Sequence, residues 1–479
     1  MIDKHLGAPG LPLAVIAAGG ARAIAIAVHL VVVSAGALPA QTAATEHAEP
    51  KAATIEGDGL DALVAQALET NPAIRAAADR VEAARARVSS AAALPDPWIG
   101  AGIQNLPLGS ENTGGHGLGG PDPMTMKMVG VGQTIPFPGK LGLQRRAAEH
   151  ELASAEAMLA ATRLQVEREV KEAYYELAFL DRALEVVERN HELLVNFVQV
   201  AESRYGLGVA SQREVLEARA EAARLAQEAA AVVEQRRAAL ARLNAALDRP
   251  SDAPVEEPGI PARIAQAAVA ESPARIRFAT SALGARAADS PLPPLIELQE
   301  TAVRENPELR AHEAMVRAQE ARLELARKAH LPDLDISLQY GQRDARPDMV
   351  SAMVSVEIPI WKGKKQDMLV KEAEAELSAL RAEYHAKANM LRARVAELYT
   401  ELERDRAQLA LYVKSIIPQG RAALTSATAS FQVGRADLLT LLENQTTLYD
   451  YEIAYLRGLT DFAKKLAELE QVVGKEILQ

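Results

Sequence analysis

Residues 123–140 read PMTMKMVGVGQTIPFPGK. Met124, Met126, Met128, Gly130 and Gly132 alternate with Thr125, Lys127, Val129 and Val131, the period of a β-strand. Pro136 and Pro138 cannot donate to a ladder and end it, and Gly139-Lys140 opens a helix. The valines fall on one face. The methionines continue the face of the glycines, where thioethers either line and pack a surface or meet a soft cation such as Cu(I).

Working outward, the same order of elements occurs twice. VGVGQTIPFPGK (129–140) matches MVSVEIPIWKGK (353–364), and LPDPWIGAGIQ (94–104) matches LPDLDISLQYG (331–341). Upstream, LVAQALETNPAIRAAADRVEAARARV (63–88) matches LQETAVRENPELRAHEAMVRAQEARL (298–323); downstream, SRYGLGVASQREVLEA (203–218) matches ASFQVGRADLLTLLEN (429–444). Two repeats, 55–248 and 296–478, therefore flank a Pro- and Ala-rich connector at 249–295 that lacks periodicity.

Each repeat reads as helix, two strands, long helical hairpin. The strands are expected near 96–105, 127–136, 333–342 and 350–360, and the hairpins at 141–247 and 364–477. Val166, Val170, Ala173, Leu177, Leu180, Leu184, Val187, Leu194, Val198, Ala201 and Tyr205 step at heptad spacing, with His191 on the same seam as a packed or register-setting polar residue. A helix from Leu141 to Tyr205 would extend about 97 Å. Its counterpart runs from Lys364 to Phe431, with a kink expected at Pro418. Gly208 and Gly434 stop these helices, and Ser211 and Asp437 cap the returning ones.

The chain has no cysteine, which excludes disulfides, thiolate metal sites and cysteine nucleophiles. Its net charge of −11 argues against nucleic acid as a partner. Arg22, the apolar run AIAIAVHLVVV and SAGALPA read as an export signal over 1–40, the alternative being an N-terminal membrane anchor. No later stretch resembles a transmembrane helix, so any further membrane passage requires a β-barrel. Alternation over four short strands is the outer-membrane barrel pattern, shared with soluble half-buried hairpins. Four strands cannot close a barrel, so several chains must contribute. Gly115, Gly117 and Gly120 spell G-x-G-x-x-G but lie between strands, not before a helix, so no phosphate cradle follows. No histidine pair has ligand spacing, and nothing assembles a catalytic cluster.

The duplicated Asn-Pro, Leu-Pro-Asp, Ile-Pro…Gly-Lys and Tyr/Phe-x-x-Gly elements resemble the TolC-type outer-membrane efflux family, most closely its heavy-metal, RND-linked branch. The resemblance implies a mainly α fold with a small β part. It implies a homotrimer whose twelve-stranded barrel, four strands per chain, sits in outer-membrane lipid above a periplasmic helical barrel. It further implies a passive exit duct, not an enzyme, with no cofactor, working with a periplasmic membrane-fusion adaptor and an inner-membrane RND-type pump. The adaptor would dock on tips containing Arg204, Tyr205, Gly208, Ser211, Phe431, Gly434 and Asp437. Phe431 falls at an aromatic gate position and Glu443 at an acidic-ring position. Thr440 occupies the family's other acidic position and Ala436 its arginine latch. In the barrel, Met124, Met126 and Met128 would face inward near the extracellular end. A periplasmic coiled-coil scaffold and the duct of an ATP-driven type I secretion system are the competing readings.

Overall fold

The structure, a computed structural model, describes residues 58–105, 125–256, 258–270, 292–343, 346–433 and 435–478. The expected export signal, the Gly115–Gly120 loop, Met124 and Gly434 lie outside them.

The first repeat comprises α1 (Asp58–Thr70), α2 (Pro72–Ala91), β1 (Trp98–Gln104), β2 (Met126–Ile135), α3 (Lys140–Gly206) and α4 (Gln212–Ala246). Helix α5 (Ala262–Val269) follows in the connector. The second repeat comprises α6 (Leu295–Glu305), α7 (Pro307–Lys328), β3 (Leu334–Gln342), β4 (Met349–Val356), α8 (Gln366–Leu411), α9 (Ile417–Gln432) and α10 (Leu438–Val473). Among the described residues, no helix is long and apolar enough to cross a membrane.

The repeated Asn-Pro pair has one structural job performed twice. Asn71 accepts from the Ala73 amide at 2.8 Å and Pro72 starts α2; its Nδ2 donates to the Ala246 carbonyl at the end of α4, also at 2.8 Å. Asn306 accepts from the Leu309 amide at 3.0 Å and donates to the Val472 carbonyl at the end of α10 at 2.9 Å. Each asparagine thus caps one helix start and satisfies an orphan carbonyl at the end of its repeat's returning helix. Asn306→Ala removes both bonds at a buried site and is expected to lower stability by about 1–2 kcal/mol, read from thermal or denaturant unfolding.

The four strands form one antiparallel sheet in the order β1-β2-β3-β4. Its register aligns Ile99, Val131, Leu338 and Ala352 in one row, and Ala101, Val129, Tyr340 and Val350 in the next. This apolar face is open: Ile99 is 80% exposed and Val350 69%. The opposite face carries Gly100, Gly130, Gln339 and Ser351 in one row.

Among the described residues three apolar cores hold the helices, the smallest being Leu323 of α7 with Ala373 and Leu377 of α8. One joins α3 residues Val170, Leu177 and Leu180 to Leu398 and Leu402 of α8 and Phe462 and Leu466 of α10. Another lies toward the hairpin tips and joins Leu194 and Ala201 to Leu225, Leu438 and Leu441. Glycine at 474 ends α10 with φ +86, and a Cβ there would sit 3.0 Å from the Glu305 carbonyl oxygen. The α6–α7 junction therefore packs directly on this backbone turn.

Three expectations are corrected and one is refined. In the helix expected over 364–431 with a kink at Pro418, a π-helical turn at Tyr412–Ile416 lies just ahead of that proline, between α8 and α9. Proline's missing N–H and the clash of its ring with the preceding turn widen the helix upstream of the ring. His191 is only half-buried, while Asn190 beside it is buried. Helix α3 packs against α4 and α10 at once, so its buried surface is wider than a single seam. Tyr205, expected on that seam, is 50% exposed because it belongs to the tip. Finally, the connector, read as lacking periodicity, carries one helix with a buried face: Ile264, Ala267 and Ala268 of α5 are buried.

Candidate entrance and exit surfaces

The two hairpin tips meet. Helix α3 ends at Gly206, Gly208 takes φ +71, and Val209 donates to the Arg204 carbonyl at 3.0 Å. Ser211 then starts α4 in a capping box: the Glu214 amide donates to its Oγ, and its own amide donates to Glu214 Oε1 at 3.0 Å. In the second tip, Asp437 Oδ1 accepts from the Thr440 amide at 2.9 Å and from its hydroxyl at 2.6 Å. These bonds from Thr440 hold the Asp437 carboxyl below the usual range.

Arg204 lies over the Phe431 ring, 4.6 Å from its centroid. Phe431 is buried in the tip core of its own chain rather than projecting. Besides Tyr205, the projecting apolar residues include Leu207 (79% exposed), Val209 (62%) and Val433 (68%). Sequence reading missed these three because the tip motif was read from its glycines and caps.

Glu443 is exposed on α10 and lines an open groove of ≈ 680 Å³ with Glu217, Glu221, Arg224, Leu442 and Thr446. Its neighbour across the groove, Glu221, accepts from Arg224 at 2.7 Å and from Thr446 Oγ1 at 3.2 Å. Thr440, which stands where the resemblance puts the family's other acid, is bonded to Asp437, so Glu443 is the one carboxylate at these two positions.

Further along α10, a ladder of polar contacts fixes it against α3 and α9. Buried Gln445 donates to Asn190. Glu452 accepts from Arg189 at 2.5 Å and Arg421 at 3.0 Å, and Lys171 reaches Glu470 at 2.9 Å. Glu176 takes Arg457 at 2.9 Å and Lys464, while Arg457 also covers the Phe179 ring at 3.9 Å. Burial works against ionisation of Glu176, but Lys464 and Arg457 outweigh it and hold its carboxyl below the usual range. A depressed folded value contributes stability above the unfolded carboxylate pKa, and that contribution is lost as pH falls through the folded value. The thermal midpoint is therefore expected to hold down to about pH 5 and to decline below about pH 4, with Glu176→Gln removing part of that decline.

At the other end, Met126 and Met128 lie on the sheet face that carries glycines and polar residues. The space above Gly341 is occupied by both: a Cβ there would stand 3.2 Å from Met126 Sδ and 3.8 Å from Met128 Cγ. Met349 is the register partner of Gly341 on the other side. Among the described residues, no group of three or more His, Asp or Glu could hold a metal ion.

The junction between sheet and helices explains the Leu-Pro-Asp and Gly-Lys motifs. Asp333 Oδ1 accepts from Lys140 Nζ at 2.8 Å and from the Phe137 amide at 2.7 Å, and Lys140 also reaches the Leu331 carbonyl at 2.9 Å. This fastens the end of β2 to the start of β3.

The outer membrane efflux protein family matches residues 63–249 and 298–475. The cobalt-zinc-cadmium resistance protein CzcC of Cupriavidus metallidurans is 22% identical over 345 residues, 71% of this chain and 75% of that protein. Among solved structures, the outer membrane protein VceC of Vibrio cholerae superposes with TM-score 0.69 at 21% identity, covering 87% of this chain and 96% of that one. CusC, described as a transmembrane channel, gives TM-score 0.68 at 17% identity, covering 87% and 92%. These likenesses show a common fold. With both of its duplicated halves matched, the chain belongs to the outer membrane efflux protein family.

Proposed function

We propose that three copies of this outer-membrane efflux chain close a twelve-stranded barrel in lipid and a periplasmic helical tunnel below it, and that the assembly conducts solute passively. The observation that carries this reading is the sheet. One face is apolar and exposed, the other carries glycines, polar residues and methionines, and both edges, β1 and β4, are free among the described residues. A sheet with two open edges is stable in lipid only when its edges are paired. The apolar face then meets lipid, and Met126, Met128 and Met349 line the exit. Neutral thioethers on an exit wall suit transit, since tight binding would oppose release.

The projecting tip residues supply an apolar docking surface for a periplasmic adaptor, which links the duct to an inner-membrane RND-type pump. The metal-resistance relative favours divalent transition-metal cations as cargo. Phe431, Thr440 and Glu443 mark the periplasmic entrance. Threefold symmetry would bring three Glu443 carboxylates around one opening, where they attract cations. The test is single-channel conductance of the purified protein in a planar bilayer. A steady small conductance is expected, blocked by a multivalent cation added on the tip side. Glu443→Ala is expected to raise the blocking concentration roughly tenfold. Unchanged block would remove Glu443 from the entrance, and absence of current from folded protein would favour a periplasmic scaffold.

A further inference from the structure

The fastening between Lys140 and Asp333 joins strands from the two repeats, and both residues belong to duplicated motifs. Their twins are Lys364 in the second Gly-Lys and Asp96 in the first Leu-Pro-Asp. Within one chain the first pair is satisfied and the second is not. Lys140 and Asp333 are 13% and 32% exposed and 2.8 Å apart. Asp96 and Lys364 are both exposed, and neither side chain has a partner among the described residues. Lys365, the neighbour of Lys364, lines the hollow that contains Lys140 and Asp333, so it is Lys364 that is left over.

The strands repeat in the same way. Within the first hairpin, Trp98 faces Gly132 and Ile99 faces Val131. In the second, the aligned residues Asp335 and Ser355, and Ile336 and Val354, face each other. The two hairpins therefore share one register, and β1 is the twin of β3 as β2 is of β4. The pairing of β2 with β3, in which Val131 faces Leu338 and Gly130 faces Gln339, joins the repeats. Its twin would join β4 to a β1, and the β1 of the same chain lies at the opposite edge of the sheet.

In the barrel proposed above β4 of one subunit meets β1 of the next; we infer that this seam takes the register of β2 with β3 and is fastened by Lys364 to Asp96 of the partner subunit. Val354 then faces the partner subunit's Ala101, and Met353 faces the partner subunit's Gly102. The second copy of the motif is one residue longer between Pro359 and Gly363 than the first is between Pro136 and Gly139. A four-carbon lysine stem absorbs that difference. A head-to-tail contact of this kind closes a ring when the rotation permits, and it leaves no sheet edge unpaired. The inference rests on the trimeric reading and adds which residues meet.

The absence of native cysteine makes the test direct. The purified full chain is first sized in detergent: a monomer overturns the trimeric reading itself. In a trimeric wild type, Val354→Cys with Ala101→Cys, and separately Met353→Cys with Gly102→Cys, are oxidised and run under denaturing conditions. Consecutive pairs alternate between wide and close spacing, so one of the two is expected to give covalent trimers. Val354→Cys with Ile103→Cys, two residues out of register, is expected to give at least tenfold fewer. Equal or greater crosslinking in the shifted pair overturns the register. Asp96→Lys and Lys364→Asp are each expected to lower the fraction of trimer surviving mild denaturant at least fivefold. Combined, they should restore it to within twofold of wild type; failure to restore while the cysteine pairs still crosslink overturns the ion pair.

Discussion

Arg406→Met is expected to lower the unfolding free energy of each chain by about 3 kcal/mol, measured as a shift in the denaturant midpoint of helix ellipticity. Arg406 is completely buried on α8. Its Nε donates to the Ala267 carbonyl at 3.1 Å, one Nη to the Ala270 carbonyl at 3.4 Å, and the other to Glu403 at 2.6 Å. The two carbonyls belong to the end of α5, where the backbone has no helical partner and a cation is favoured. Methionine fills much of the volume but leaves those acceptors dry. The cost comes from orphaned partners, so adding Glu403→Gln to Arg406→Met should recover only a small part of it. A loss below about 1 kcal/mol would mean that water reaches the end of α5 and that the connector is not anchored there.

Leu207→Asp combined with Val433→Asp is expected to abolish efflux in cells while leaving the channel intact. Both residues project from the tips and neither belongs to an apolar core. Their replacement should therefore not unfold the tip that Arg204 and Phe431 hold together. If these side chains are central anchors of the adaptor contact, two of them contribute on the order of 4 kcal/mol, or roughly a thousandfold in affinity. The readout pairs loss of metal tolerance in cells with unchanged single-channel conductance of the purified variant. Retained tolerance would move the docking surface off the tips.

Much of the fold is legible in local patterns. Asn71-Pro72 and Asn306-Pro307 announce helix starts, Ser211 and Asp437 announce the returning helices, and strand alternation assigns Val129 and Val131 to one face of the sheet and Gly130 and Gly132 to the other. The entrance was less legible. Phe431 lies in the last turn of α9 and Glu443 on the returning α10, and the ring is packed under Arg204 while the carboxylate is exposed on a groove. Arg406 stands in ERDR, a run that reads as a solvated helical face, and nothing near it in sequence signals that α5 will cover it. Heptad spacing points to His191, yet Asn190 is the buried polar residue, because α3 has neighbours on two sides.

By itself, the sequence determined that two copies of one plan are joined, which residues begin and end each helix, and which face of each strand is apolar. These follow from interactions within a few residues, whose periods of two and 3.6 are written directly in the chain. Only the tertiary structure decided that Lys140 fastens to Asp333, that Gln445 meets Asn190, and that Arg406 holds the end of α5. Those partners lie far apart in the chain. Whether a charge is solvated or buried depends on which helix is laid over it, and that is set by packing the apolar faces of all the elements together.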